Sequence, residues 1–113
     1  MNNRNLDKIT KLLGQVQPKL PNAHRVEFKN VFGAVGGYVD GRIFISCGKF
    51  GVALRLPSEI LINLFQEQDV ERLKYFPSGY IKKEYAVLPR RILEDNDRLR
   101  ELVNESVRYA RSS

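Results

Sequence analysis

Four of the chain's eight glycines fall within nine residues of one stretch, "FKNVFGAVGGYVDGRIF", residues 28–44. Glycine so dense is one way to cradle a phosphate, but that device needs a strand running into a helix whose N-terminus meets the anion. Here "GAVGG" runs from strand-like sequence into strand-like sequence, and the Lys-Ser/Thr of a P-loop is missing. "GAVG" also fits the GXXG loop of KH domains, which joins two helices, so the context fails again. The other reactive side chains are sparse. His24 is the only histidine and Cys47 the only cysteine, too few for a four-ligand zinc site without carboxylates. Cys47 falls on an apolar strand face and reads as a packed thiol. No serine stands in a nucleophile elbow. Glu94, Asp95 and Asp97 could hold a divalent cation, but they sit where a helix begins and read better as capping and dipole residues. No catalytic, cofactor or metal site is expected, and the chain reads as a non-enzyme.

The residues that could bind rather than react are cationic. Arg42 is expected directly opposite Arg55, with Phe44 beside them and Arg25, Glu27 and Lys29 on the same sheet face. Like charges opposed are unfavourable unless neutralised. An internal acid, Glu27 or Glu84, is the simpler partner. An acidic protein or a phosphate backbone, with Phe44 as a stacking surface, is the functional one. Arg25, Lys29, Arg42, Phe44 and Arg55 are therefore the candidate partner-binding residues.

These side chains have to be positioned by sheet and helix. Leu6, Ile9, Leu13, Val16 and Leu20 share one face of a first helix that weakens near Gln17, after Gly14 and before Pro18. Asp40-Gly41 between two apolar runs is a strong hairpin signal, and Gly48-Lys49 repeats it. Counting outward from both turns places Tyr38, Ile43, Ile45, Cys47, Phe50, Val52, Leu54 and Leu56 on a core face. The same count places Val35, Val39, Arg42, Phe44, Ser46, Ala53 and Arg55 on the other. Gly33 permits a turn or bulge, and Gly36 and Gly37 leave room across the sheet. "SEILINLFQEQ" predicts a short helix with Ser58 as N-cap. "RLKYF" and "KKEYAVL" predict two strands around a Pro77-Ser78-Gly79 turn. A last helix opens at Asp95, buries Leu99, Leu102, Val103, Ser106 and Ala110, and pairs Asp97/Arg100, Arg98/Glu101 and Glu105/Arg108 outside. The reading is α+β: one domain over residues 1–113, two layers, an antiparallel sheet with helices on one face, in the order α-β(4)-α-β(2)-α.

Composition agrees with a single folded unit: 42% apolar and 28% charged over 113 residues. The formal net charge of +6 lies in the first half, where residues 1–57 carry nine Lys/Arg against three Asp/Glu. That asymmetry can attract nucleic acid or an acidic partner, but with no basic run longer than two residues it reads first as charge that keeps a small protein soluble. The absence of an apolar signal stretch, of a membrane-length apolar run and of paired cysteines predicts a cytoplasmic protein.

"LPNAHRVEFKNVFGAVGGYVDGRIFISCGKFGVALRLP" followed by "YFPSGYIKKEYAVLP" resembles the TfoX N-terminal domain. The matching features are Phe32-Gly33 after the first strand, Gly41 and Phe44 in the following hairpin, Gly79, and the ending from Tyr85 to Pro89. They run in order over residues 18–111, with Val31 standing where a Met is common. The resemblance implies a stand-alone domain with a fold like that of secretion chaperones, a link to regulators of natural competence, and no catalytic residues. It implies action through protein–protein contact and a homodimer. Weak nucleic-acid binding through the basic sheet face is the alternative, although no helix-turn-helix is visible.

Overall fold

The computed structural model describes residues 3–20 and 25–112. The elements are α1 (Asn3–Val16), β1 (Val26–Val31), β2 (Ala34–Val39), β3 (Arg42–Gly48), β4 (Gly51–Arg55), α2 (Ser58–Leu64), β5 (Glu71–Leu73), β6 (Lys82–Val87), α3 (Arg90–Leu93) and α4 (Asn96–Ser112). One six-stranded sheet runs in the order β1-β2-β3-β4-β6-β5, antiparallel at every neighbour. The α+β class and the alternation of helices and strands are as expected, with α3 as an extra turn.

The helices cover one face, where they bury Ile9, Leu13 and Val16 of α1, Leu61 and Leu64 of α2, Ile92 of α3, and Leu99, Leu102, Val103, Val107 and Ala110 of α4. α1 stops where the sequence weakens, with Gln17 turning into the left-handed region at φ 48. Its exposed carbonyl end is finished by α4: Arg100 Nε donates to Val16 O at 2.9 Å and Lys19 N donates to Asn104 Oδ1 at 2.8 Å. α4 opens as predicted, with Arg98 N donating to the Asp95 carboxylate at 3.2 Å and satisfying an orphan amide of the first turn. Asp97/Arg100 and Glu105/Arg108 pair along it, whereas Arg98 reaches Glu67 instead of Glu101. α2 begins after an extended Pro57 without a side-chain cap, so Ser58 is its first helical residue and not its N-cap. α3 begins in the same way after Pro89.

In the first hairpin the register departs from the expected count at one residue. Asp40 and Gly41 form the turn, both at positive φ (53 and 76), and Val39 pairs with Arg42 and Tyr38 with Ile43. Gly37 then pairs with Ile45, which leaves Phe44 as a β-bulge. Before the bulge the helix-facing positions of β3 are even-numbered, and after it they are odd. Ile45, Cys47, Val52 and Leu54 are buried under the helices as predicted. Val35, Val39 and Phe44 join them there, while Tyr38 and Ile43 turn to the opposite face. A Cβ on Gly37 would lie 2.6 Å from Ile45 Cγ2, so two large side chains can stand opposite this position only because it is glycine. The second hairpin is also displaced by one: Gly48 pairs with Gly51 across Lys49-Phe50. Gly51, at φ 108, absorbs the mismatch.

Candidate functional site: the second face of the sheet

The face turned away from the helices is roofed by the connection between β5 and β6. β5 ends at Leu73, so Tyr75 and Phe76, expected in a strand, leave the sheet and fold across it. The Tyr75 hydroxyl donates to Ser46 Oγ at 3.1 Å and pins this roof to β3. Its ring stands edge-on to Phe50 at 5.6 Å and tilted against Phe32 at 5.3 Å, and Phe76 stands edge-on to Phe32 at 5.9 Å. Such pairs contribute beyond their buried area. Beneath them Ala53, Leu73 and Val87 form a small second core.

Phe32 stands at the centre of the cluster because of its backbone. The two-residue turn between β1 and β2 holds Phe32 at φ 49 and Gly33 at φ 82, and such a turn prefers Asn-Gly. A bulky ring at positive φ is strained, and this ring is 62% exposed. Phe76, Tyr80 and Ile81 extend the exposed apolar surface.

Two clefts flank Tyr75. One, of about 550 Å³, lies between Phe32, Phe50 and Phe76 and carries Lys49 and Lys74 on its rim. The other, of about 450 Å³, lies over Tyr38, Ile43 and Tyr85 and carries Arg55, Lys82 and Lys83. Lys82 sits over the Phe32 ring at 5.8 Å, and Lys29 over the Tyr38 ring at 5.0 Å, each within reach of a cation–π attraction. Glu84 is the one acid among the residues lining these two clefts. Its carboxyl is held below the usual range by the Tyr109 hydroxyl and then by Arg55. Burial raises the phenols of Tyr75 and Tyr85, so both remain protonated donors at neutral pH. The surface offers stacking rings, the Tyr85 hydroxyl and fixed cations.

Of the candidate residues, Arg55 lines the second cleft and Lys29 lies beside it. Arg55 does not face Arg42. Its Nε donates to Glu84 at 3.2 Å, and it pairs across the sheet with Tyr85, while Arg42 pairs with Val39. Phe44 is wholly buried under the helices and offers no stacking surface, because the bulge reverses its direction. Arg25 and Arg42 are exposed away from the clefts. Cys47 lies in the helix-side core, where burial pushes its thiol up to about 11. Asp95 caps α4, Glu94 pairs with Arg90 at 3.3 Å and Asp97 with Arg100. Among the described residues no group of three His, Cys, Asp or Glu side chains could hold a metal, and His24 lies outside them.

Fold and site together define a two-layer α+β domain with a cationic, aromatic surface opposite its helices. Comparison with known families matches residues 19–110 to the TfoX N-terminal domain, and the chain belongs to that family. No curated protein and no solved structure shows significant similarity to it. Among the described residues no helix is long and apolar enough to cross a membrane.

Proposed function

We propose that this domain is a non-catalytic regulatory adaptor of the cytoplasm that works by binding another protein through the second face of its sheet. The observation that carries this reading is Phe32, a strained turn residue that presents an exposed ring against Tyr75 and Phe76. Aromatic anchors ringed by polar and cationic groups are the usual energetic centre of a protein interface. Membership of the TfoX N-terminal domain family supports a place among regulators of competence or transcription. The cations around the clefts favour a second reading, direct nucleic-acid binding, in which the rings would stack bases.

A photo-crosslinking residue at position 32 separates the two. Crosslinks to a discrete protein that survive nuclease treatment, and that Lys82→Glu weakens, are expected. Capture that nuclease abolishes, or DNA affinity tighter than ~10⁻⁵ M with a steep fall as salt rises, would overturn the first reading and support the second. Phe32→Asn is the matched control. It should keep the fold, since Asn tolerates positive φ better than Phe, and lose the partner.

A further inference from the structure

The sheet has two edges, and they differ. β5 is three residues long with an irregular register, features that discourage pairing with another chain. β1 is six residues long, regular along its whole length, and free of proline. Its two-residue turn closes on Val31 and Ala34, which makes that couple the hydrogen-bonded one. Alternation then directs the amides and carbonyls of Lys29 and Glu27 toward β2, and those of Asn30, Phe28 and Val26 toward the open edge. Among the described residues nothing outside β2 hydrogen-bonds this strand's backbone.

We infer that β1 is a homodimer interface, in which two copies pair antiparallel about Phe28 to form one continuous sheet. Hydrogen-bond parity allows only registers in which like residues meet on the two-fold axis. Centring on Glu27 sets Glu27 against Glu27, and centring on Lys29 sets Lys29 against Lys29. Centring on Phe28 opposes Glu27 to Lys29 twice, Phe28 to Phe28, and Val26 to Asn30 twice. It also satisfies the outward backbone groups of all three edge residues. The Glu–Lys couples fall at the non-hydrogen-bonded positions, where side chains approach most closely. Among the described residues neither Glu27 nor Lys29 has an ion-pair partner within its own chain. Val26 and Phe28, half-buried at the rim of the helix-side core, would be covered by their counterparts. A lysine on an edge strand normally repels neighbours. Here it is neutral only against this chain's own glutamate, so it admits one register of one partner.

Sedimentation equilibrium from low micromolar to several hundred micromolar tests this. The wild type should dimerise, and Glu27→Lys and Lys29→Glu should each weaken association at least about tenfold, because each turns two attractive couples into repulsive ones. Mixing the two variants should restore a heterodimer. The two introduced charges are then opposite in sign and meet on one side of the axis, while the native couple forms on the other. Both positions are exposed, so circular dichroism should show unchanged folds. Amide exchange at Val26, Phe28 and Asn30 should slow with concentration. A monomer throughout that range, a dimer indifferent to both reversals, or no rescue on mixing would overturn the inference.

Discussion

The hydroxyl of Ser106 lies 2.5 Å from Phe44 O and 2.7 Å from Arg55 O, deep between α4 and the sheet. The β3–β4 ladder stops at Ile45 and Leu54, so these two carbonyls have left their strand partners. One buried hydroxyl, donating to either in turn, keeps them from being orphaned. Ser106→Ala should therefore cost more than the loss of one exposed hydroxyl would, about 1–3 kcal/mol. The check is a lower urea midpoint with an unchanged slope. The serine's inward direction was legible from helical spacing, but its purpose was not, because nothing local marks which carbonyls a bulge will release.

At the scale of the element, the hairpin of β2 and β3 depends on Gly37. Adding a methyl there meets Ile45 Cγ2 at 2.6 Å, with Ile9 Cδ1 and Phe44 Cε1 each 3.6 Å away. Gly37→Ala should destabilise the protein by about 1–3 kcal/mol through overpacking, whereas Gly14→Ala, with nothing within 4 Å of the added Cβ, should be neutral or stabilising. Thermal melts of the two variants side by side make the comparison. The Asp40-Gly41 turn could be read from sequence because its chemistry is local. The bulge could not be read by counting outward, although its trace is visible: Ile43-Phe44-Ile45 is an apolar run that strict alternation does not allow. That slip carried Phe44 into the proposed binding set. The aromatic roof was missed for a related reason. Tyr75 and Phe76 look like strand residues until β5 ends at Leu73, and only the tertiary path shows that they turn back over the sheet.

For the molecule as a whole, Glu67 ties separate helices together. It accepts from Arg98 Nη2 at 2.5 Å and from Arg91 Nη2 at 2.8 Å, and Arg91 also holds Asp69. The connection after α2 is thus fastened to both α3 and α4. Hydrogen bonds from Arg98 first and Arg91 second hold the Glu67 carboxyl down to about 2, against 4.5 for a free glutamate. A carboxyl whose folded value is depressed stabilises fully above its unfolded value and loses that contribution as pH falls through the folded one. The stability advantage of wild type over Glu67→Gln should therefore be full above about pH 5 and shrink steadily toward pH 2. Guanidinium or urea titrations of both proteins at stepped pH would show it. A constant difference across that range would mean the bridge is held apart by solvent.

The hydrogen bonds that finish α1 join residues 84 and 85 positions apart. During synthesis the first helix emerges long before the seventeen residues of α4 that close its end, and chains appear at only about 5–20 residues per second. A short amphipathic helix is marginal alone, so the nascent chain carries an unseated apolar stripe and a half-built sheet for several seconds. The ribosome therefore delivers the fastening piece long after the helix it fastens, and the interval before it arrives is when this chain is most open to a chaperone, to a protease or to another copy of itself.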